Sequence, residues 1–181
     1  NECNRPGATP QSVAQELDRD YGGSDYQIFG KELYESGQRN LMMPFVRGVF
    51  GYNVEDLTPE FEKAEDGPLK LWVHLDNDGR PTASHSEYVI GCDISAGLGG
   101  SYTSNSVATI VNNVSKTQVG EFATNTMRPE DFADYVVSLC KFFHNAYLIW
   151  EYNGSPGGAF TKRVLDQQYS NIYYREVEHK S

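Results

Sequence analysis

Apolar positions in the second half of the chain are grouped in short segments of strand length. Residues 88–94, 106–111 and 119–124 are rich in β-branched and other apolar side chains and predict three strands. Asn112 and Asn113 separate the last two segments and favour a turn, while a Gly/Ser-rich loop over residues 95–104 joins the first two. Connections of this kind predict three consecutive antiparallel strands.

After residue 128, apolar residues recur at the spacing of a helix. Pro129 followed by two acids is typical of a helix start, and apolar residues at helical spacing predict a helix over 129–144. The positions predicted to face the core are Phe132, Ala133, Val136, Val137, Leu139, Cys140 and Phe143. A strand over 147–151, a helix over 159–167 with Phe160, Val164 and Leu165 on one face, and a short strand over 171–174 are predicted next. This order predicts an α/β fold with a ribonuclease H-like mixed sheet, in which three antiparallel strands are followed by β-α-β-α-β crossovers.

The pattern before residue 68 is less regular and predicts an N-terminal extension that is helical or irregular. Thr9-Pro10 and Thr58-Pro59 each join an N-cap residue to a proline, which predicts two helix starts, the second for a short acidic helix. Residues 69–75 predict a strand, followed by a turn at 77–79. We therefore expect an extension over 1–67 and a domain over 68–181.

Composition and charge limit the class of protein. The net charge of −10 argues against a general nucleic-acid binder, although an enzyme could still contact DNA through a local patch. No run of 18 apolar residues is present, which excludes a membrane-spanning helix. Cys3, Cys92 and Cys140 lack the spacing of a zinc site, and the last two are predicted to be buried free thiols in a reducing compartment. The chain begins without Met, so we expect a fragment of a longer protein.

Two of the predicted strands end in a carboxylate. Asp93 follows the apolar run at 88–92, and Glu151 follows the run at 147–150. Because these strands are neighbours at the centre of the predicted sheet, Asp93 and Glu151 are expected to converge at one edge. Paired carboxylates repel each other, and a divalent cation with a preference for oxygen ligands, Mg²⁺ or Mn²⁺, relieves that repulsion. The two acids are therefore the predicted metal-binding and catalytic residues.

Four segments of the chain resemble the large terminase subunit of tailed bacteriophages. YVIGCDISAG at 88–97 is similar to the first strand of its C-terminal nuclease part, and YLIWEYNG at 147–154 is similar to the strand that carries its second acidic ligand. AQELD at 14–18 and YGGS at 21–24, with Phe29, resemble the end of its ATPase part. The resemblance covers most of the chain in the order that the family has.

The resemblance implies a two-metal-ion endonuclease that cleaves concatemeric viral DNA during genome packaging, using Mg²⁺ or Mn²⁺ held by Asp93 and Glu151. It also implies double-stranded DNA as substrate, the terminase small subunit and portal protein as partners, and the cytoplasm of the bacterial host as location. Residues 1–67 then correspond to the tail of the ATPase region and a linker, and 68–181 to a nuclease domain whose C-terminal part is missing.

Two features depart from the family. No GxxxxGK[ST] motif is present, so the ATP-hydrolysing site is not in this chain. The third metal ligand of the family has no matching aspartate before Ser181, since Asp166 comes too early and no motif supports Glu176 or Glu178. We therefore expect the third ligand beyond Ser181, and little or no activity from this chain alone.

Contacts with the DNA backbone are predicted for three cations, although solvated surface charge is the ordinary role of each. Lys162 and Arg163 lie on the helix after the second acidic strand, and Arg128 precedes the long helix. The Gly97–Gly100 segment is not expected to bind a nucleotide phosphate, because no helix start follows it. No residue is predicted to bind an organic cofactor.

Two other interpretations of the sequence stay open. Actin-like and sugar-kinase ATPases also have an Ile-Gly-x-Asp strand, although a tight Gly/Thr turn usually follows it, whereas Ser95-Ala96 and a longer loop follow here. An inactive prophage remnant that only binds partner proteins would fit the acidic charge and the incomplete ligand set. Stabilisation by nucleotide favours the ATPase class, and stabilisation by Mn²⁺ alone favours the nuclease.

Overall fold

The computed structural model describes residues 41–82, 87–100, 103–152 and 154–174 of the 181-residue chain. Its contacts divide the chain into two units, Asn1–Met43 and Pro44–Ser181. Nearly all of the first unit lies outside the described residues, and so do the predicted helix that starts at Thr9-Pro10 and residue Cys3. In the described part of the chain, no helix is long and apolar enough to cross a membrane.

One mixed sheet organises the second unit. Within the described residues it contains seven strands in the order β2-β1-β3-β6-β5-β4-β7, of which β4, β5 and β6 are antiparallel and β7 is parallel to β4. The strands and the two described helices are β1 Val46–Tyr52, β2 Pro59–Lys63, β3 Leu69–Leu71, β4 Tyr88–Asp93, β5 Ser106–Asn112, β6 Thr117–Thr124, α1 Pro129–Phe142, β7 Tyr147–Trp150 and α2 Gly154–Asp166.

From β4 onward the elements follow the predicted order. β4, β5 and β6 are consecutive antiparallel strands, α1 leads to β7 beside β4, and α2 leads to a parallel bridge between Ile172 and Leu148. The ribonuclease H-like α/β sheet that the sequence predicts is therefore confirmed. The last predicted strand, over 171–174, is present only as that single bridge.

The predicted helix at Thr58-Pro59 is wrong, because this segment is the edge strand β2. Leu57 has a positive φ of 55°, and residues Asn53 to Thr58 form a turn that reverses the chain between β1 and β2. A proline is tolerated at the start of an edge strand, where its missing N–H faces no partner. Phe61 packs against Phe142 of α1 while Glu62 is exposed, which is the alternation of a strand and not the period of a helix.

The β1 and β2 strands belong to the same sheet as β3, through the antiparallel pairing of β1 with both neighbours. The second compact unit begins at Pro44, so part of the predicted 1–67 extension is built into the sheet. Assignment of residues 1–67 to an ATPase tail and linker stays a prediction. β3 ends at Leu71, earlier than predicted. The predicted turn is present, with Gly79 at φ 74° and a hydrogen bond from the Asp76 backbone N–H to the Arg80 carbonyl (2.7 Å).

The α2 helix begins at Gly154, five residues before the predicted start at Ala159. Pro156 lies in its first turn, where a proline costs no intrahelical hydrogen bond. Phe160 and Val164 are buried as the helical pattern predicts, but Leu165, assigned to the same face, is 49% exposed. Phe160 and Val164 are four residues apart and lie on one face, whereas Leu165 is turned about 100° around the helix from Val164.

The core lies between the sheet and α1. The seven apolar positions predicted to face inward from this helix are all buried: Phe132, Ala133, Val136, Val137, Leu139, Cys140 and Phe143. Tyr135 stacks on Phe122 of β6 with ring centroids 4.1 Å apart. Cys92 and Cys140 are buried free thiols, as predicted, and burial raises the pKa of Cys140 to about 12.

The Tyr135 hydroxyl is buried and has no hydrogen-bond partner among the described residues. Since an unsatisfied buried donor costs about 1–3 kcal/mol, we expect Tyr135→Phe to raise the free energy of unfolding by about 1 kcal/mol. The matched control is Tyr169→Phe, because the Tyr169 hydroxyl donates a hydrogen bond to the Ala146 carbonyl (2.5 Å) and its loss should destabilise. Urea unfolding measures both, and a loss of stability in Tyr135→Phe would show that the hydroxyl has a partner, such as a buried water.

Candidate metal site at the ends of β4 and β7

The two predicted acids lie at the carboxyl ends of adjacent parallel strands. Cys92 of β4 is paired with Trp150 of β7, Asp93 is the last residue of β4, and Glu151 directly follows β7. The Glu151 backbone N–H donates to the Cys92 carbonyl (3.4 Å), which holds the two chain ends together. Neighbouring strands are roughly 4.8 Å apart, so the two carboxylates start from adjacent backbone positions.

Both carboxylates line one cavity of about 500 Å³, here termed the acidic cavity. Side chains alternate along a strand, and Tyr88, Ile90 and Cys92 face the helices, with the Tyr88 ring 5.0 Å from Phe143. Asp93 therefore lies on the opposite face of the sheet. The residues that share the lining with the acids are Gly91, Cys92, Val107, Thr109, Ile149 and Trp150. The rest of the lining is mostly apolar, so the two acids are the charged groups of this cavity.

A loop after β4 forms a second cavity of about 370 Å³ that Asp93 also lines, here termed the loop cavity. The buried Ser106 hydroxyl accepts a hydrogen bond from the Ser95 backbone N–H (3.0 Å), which fixes the start of the loop. Gly99 donates through its backbone N–H to the Asn125 carbonyl (2.7 Å), and the Asn125 side-chain amide donates to the Gly100 carbonyl (2.9 Å). The loop is thus tied to the connection between β6 and α1.

Sequence reasoning missed the polar residues that frame the loop cavity. Thr103, Ser104 and Asn105 line it together with Asp93. Asn125, which holds the loop, comes from a segment that is distant in sequence. The available signal was the density of Ser, Thr and Asn on both sides of β5, but such residues are common in surface loops and predict no particular contact.

The charges of Asp93 and Glu151 are not compensated within the described residues. Both side chains are exposed, and neither forms a hydrogen bond or an ion pair with any residue that the structure describes. In the same part of the chain, no group of three or more His, Cys, Asp or Glu residues is placed to hold a metal ion.

Burial raises the pKa of the Cys92 thiol well above its usual range, and the charges of Cys140 and Asp93 add to this, so Cys92 stays a neutral thiol.

The third ligand is therefore not found among the described residues. Asp166 is exposed at the C-terminal end of α2, and Glu176 and Glu178 lie outside the residues that the structure describes. The two acids can supply oxygen ligands to one hard cation, with water completing its coordination. The chemistry of the donors thus fits Mg²⁺ or Mn²⁺, while the set is smaller than two ions require.

Two of the three predicted DNA-contacting cations are held by acids on α1. Arg163 forms two hydrogen bonds with Asp134 (2.7 and 2.8 Å), which raise its pKa, and Gln167 donates to the same carboxylate. Arg128 is exposed and paired with Asp131 at 3.0 Å. Lys162 is exposed and forms no ion pair within the described ranges. A role of these cations in DNA binding stays a prediction.

The strand order and the acidic pair at the ends of the neighbouring parallel strands β4 and β7 define a ribonuclease H-like α/β domain with a candidate divalent-metal site. These strands are neighbours as predicted, but they lie at one end of the described sheet and not at its centre. The chain is similar to three solved structures of the large terminase nuclease from the thermophilic phage G20c. The one with bound cobalt has 16% identity and a TM-score of 0.48, covering 65% of this chain and 54% of that one. The one with bound magnesium has 19% identity and a TM-score of 0.45, covering 65% and 55%.

The third, described without a bound metal, has 18% identity and a TM-score of 0.44, covering 65% of this chain and 54% of that one. The chain therefore spans about half the length of these nuclease structures. No protein-family model matches the chain, and no curated protein sequence matches it.

Proposed function

We propose that this chain is the nuclease part of a phage terminase large subunit, a metal-dependent endonuclease that cleaves concatemeric viral DNA during packaging. The single observation that supports this most is the convergence of Asp93 and Glu151 on one cavity at the ends of adjacent parallel strands. The YVIGCDISAG and YLIWEYNG segments carry both acids and resemble the metal-binding strands of that family.

The electrostatics of the pair favour a divalent cation. Two exposed carboxylates extend from adjacent strands, and no cationic side chain among the described residues is paired with either. The repulsion between these two neighbouring carboxylates is relieved most directly by a hard cation that binds oxygen ligands. Asp93 and Glu151 are the residues that would hold it.

Divalent ions in such a site supply Lewis acidity and a water of lowered pKa for hydrolysis of a phosphodiester bond. Both acids are exposed to solvent at the ends of β4 and β7, so a DNA strand can approach them without a movement of the core. Since the pair offers ligands for little more than one ion, we expect weak activity from this chain.

The substrate that we propose is double-stranded DNA, with the small terminase subunit and the portal protein as partners in the host cytoplasm. The net charge of −10 limits the non-specific DNA affinity of this chain, and that affinity should fall steeply with salt. Other parts of the packaging motor therefore have to supply most of the hold on DNA. Lys162 is the cation on α2 that stays available for a backbone phosphate.

Nicking of supercoiled plasmid at low salt tests the proposal. We expect slow nicking in Mn²⁺, less in Mg²⁺ and none in chelator, with a loss of roughly tenfold or more in Glu151→Gln, because an amide is a poor ligand for either ion. Glu62→Gln on the edge strand β2 is the matched control and should leave nicking unchanged. Nicking that survives Glu151→Gln would show that the active site lies elsewhere.

Thermal melting separates the nuclease from the ATPase alternative. A nuclease site should be stabilised by Mn²⁺ alone, and added ATP should contribute nothing further, because the stabilisation comes from ion binding to the folded state. Stabilisation by ATP with Mg²⁺ beyond that by Mg²⁺ alone would favour the actin-like class instead. The absence of both nicking and stabilisation by Mn²⁺ would favour an inactive remnant.

A further inference from the structure

A long hydrogen bond joins the Glu151 backbone to β4. The Glu151 N–H donates to the Cys92 carbonyl over 3.4 Å, whereas N–H···O bonds usually span about 2.7–3.2 Å. The Glu151 side chain forms no hydrogen bond or ion pair with any described residue. A bond of that length is a weak restraint, so the position of this carboxylate depends also on what holds the chain from the helical side.

The two acids differ in how far the sheet supports them. Asp93 is the last residue of β4 and is paired with Val107 of β5. Glu151 lies one residue beyond the last pair of β4 with β7, which joins Cys92 to Trp150. The sheet therefore fixes Asp93 directly, while Glu151 needs support from outside the sheet.

The first turns of α2 pack on the backbone at Glu151. A Cβ added to Gly157 would lie 3.2 Å from the Glu151 carbonyl oxygen and 3.2 Å from the Tyr152 Cα, so the neighbouring backbone would have to move by a few tenths of an ångström. Gly157 is buried and is not among the glycines with a positive φ. The close approach of the two segments, and not an unusual backbone conformation, is therefore the reason for glycine at this position.

A chain of hydrogen bonds joins the end of β7 to the same part of α2. The Trp150 indole N–H donates to the Thr161 hydroxyl oxygen (2.8 Å), and the Thr161 hydroxyl donates to the Gly157 carbonyl (2.7 Å). Because an indole N–H can only donate, the Thr161 oxygen accepts from it and the single hydroxyl proton is left for Gly157. The Trp150 ring also lies 5.6 Å from the Phe160 ring. The residue that precedes Glu151 is thereby fixed to the helix.

We propose that Thr161 and Gly157 are positioning residues for the Glu151 carboxylate. Thr161 fixes the end of β7 to α2 through Trp150, and Gly157 allows the helix to close on the Glu151 backbone. Neither residue lines the acidic cavity, so each acts through Glu151. Since metal–oxygen distances in a formed site stay within about 0.2 Å of their preferred values, a small shift of this backbone weakens metal binding. The inference rests on the proposed nuclease function for the metal and adds what holds one of its ligands.

Two adjacent glycines test the contact with the backbone. A Cβ at Gly158 would meet only the end of the exposed Tyr152 side chain, 3.4 Å from its hydroxyl and 3.8 Å from its ring. Alanine is a better helix former than glycine at both positions, so Gly158→Ala is the matched control for Gly157→Ala. In isothermal titration with Mn²⁺, we expect Gly157→Ala to bind roughly fivefold or more weakly than the parent, and Gly158→Ala to bind like the parent.

Two substitutions test the Thr161 hydroxyl. Thr161→Val keeps the shape and leaves the Trp150 N–H without its acceptor, so Mn²⁺ binding should weaken roughly fivefold or more, while Thr161→Ser keeps the hydroxyl and should restore binding to within about twofold of the parent. Val164→Ala removes a buried side chain from the same helix and should lower the urea midpoint without changing Mn²⁺ affinity. A merely structural role of Thr161 would give Thr161→Val the behaviour of Val164→Ala.

Circular dichroism shows that each variant is folded before titration, and the glycine pair decides alone if Thr161→Val does not fold. Equal Mn²⁺ affinity of Gly157→Ala and Gly158→Ala, unchanged affinity in folded Thr161→Val, or equal losses in Thr161→Ser and Thr161→Val would each overturn the inference. Where Glu151→Gln loses Mn²⁺ binding in the same titration, such a result leaves the proposed metal site standing. Equal Mn²⁺ affinity of Glu151→Gln and the parent would instead overturn the metal site, and this inference with it.

Discussion

Asp93→Asn should weaken Mn²⁺ binding by roughly tenfold or more and should not lower the thermal stability of the protein in chelator. The Asp93 side chain ends β4 beside Glu151, and among the described residues it makes no hydrogen bond or ion pair that the change would remove. Without metal, the substitution takes away one of two neighbouring like charges, so stability should stay the same or rise.

Isothermal titration with Mn²⁺ and melting in chelator measure the two effects separately. Asp66→Asn changes an exposed aspartate between β2 and β3 and is the matched control, with no expected effect on Mn²⁺ affinity. If Asp93→Asn melted several degrees below the parent in chelator, Asp93 would be a structural hydrogen-bond acceptor. If its Mn²⁺ affinity equalled that of the parent, the acidic cavity would not be the metal site.

Gly97→Ala should destabilise the fold by about 2–4 kcal/mol. Gly97 has a positive φ of 65°, which costs an L-residue about 1–2 kcal/mol, and a Cβ there would overlap the Met127 carbonyl oxygen. Relief of the overlap requires the loop to move away from the connection between β6 and α1. For a chain of this size the loss corresponds to a fall in Tm of roughly 4–16 °C.

Gly99→Ala isolates the effect of the overlap. Gly99 has a similar φ of 70°, but the nearest atom to its Cβ position is a Thr126 methyl group at 3.8 Å, so only the conformational cost applies. Gly97→Ala should therefore melt several degrees below Gly99→Ala. Equal melting temperatures would show that the loop adapts freely, and that its contacts with residues 125–127 do not fix the edge beside Asp93.

The part of the fold that the sequence predicts correctly has strong local patterns. Strands β4, β5 and β6 follow from their apolar alternation and short connections, and α1 follows from Pro129, its acidic first turn and its buried stripe. Errors occur where two local signals compete. Thr58-Pro59 suits a helix start as well as an edge strand, and only the pairing of β2 with β1 and the contact of Phe61 with Phe142 decide for the strand.

The sequence identified Asp93 and Glu151 because each directly follows an apolar run. Each acid therefore stands at the same place, the carboxyl end of a predicted strand. It could not determine that Arg163 is bound by Asp134, since that contact joins two helices across 29 positions of sequence. Nor could it determine that Tyr152, Tyr173 and Tyr174 are each exposed, because tyrosine is common both in cores and on surfaces.

The sequence by itself therefore determined the order of elements from β4 onward and the two acids, since both depend on residues close together in the chain. Only the tertiary structure decided the inclusion of β1 and β2 in the sheet, the face on which the acids lie, and which nearby side chains stay open to solvent. These features depend on the pairing of distant segments and on the packing of α1 and α2 against one face of the sheet. Periodicity specifies which face of an element is buried, but not which element buries it.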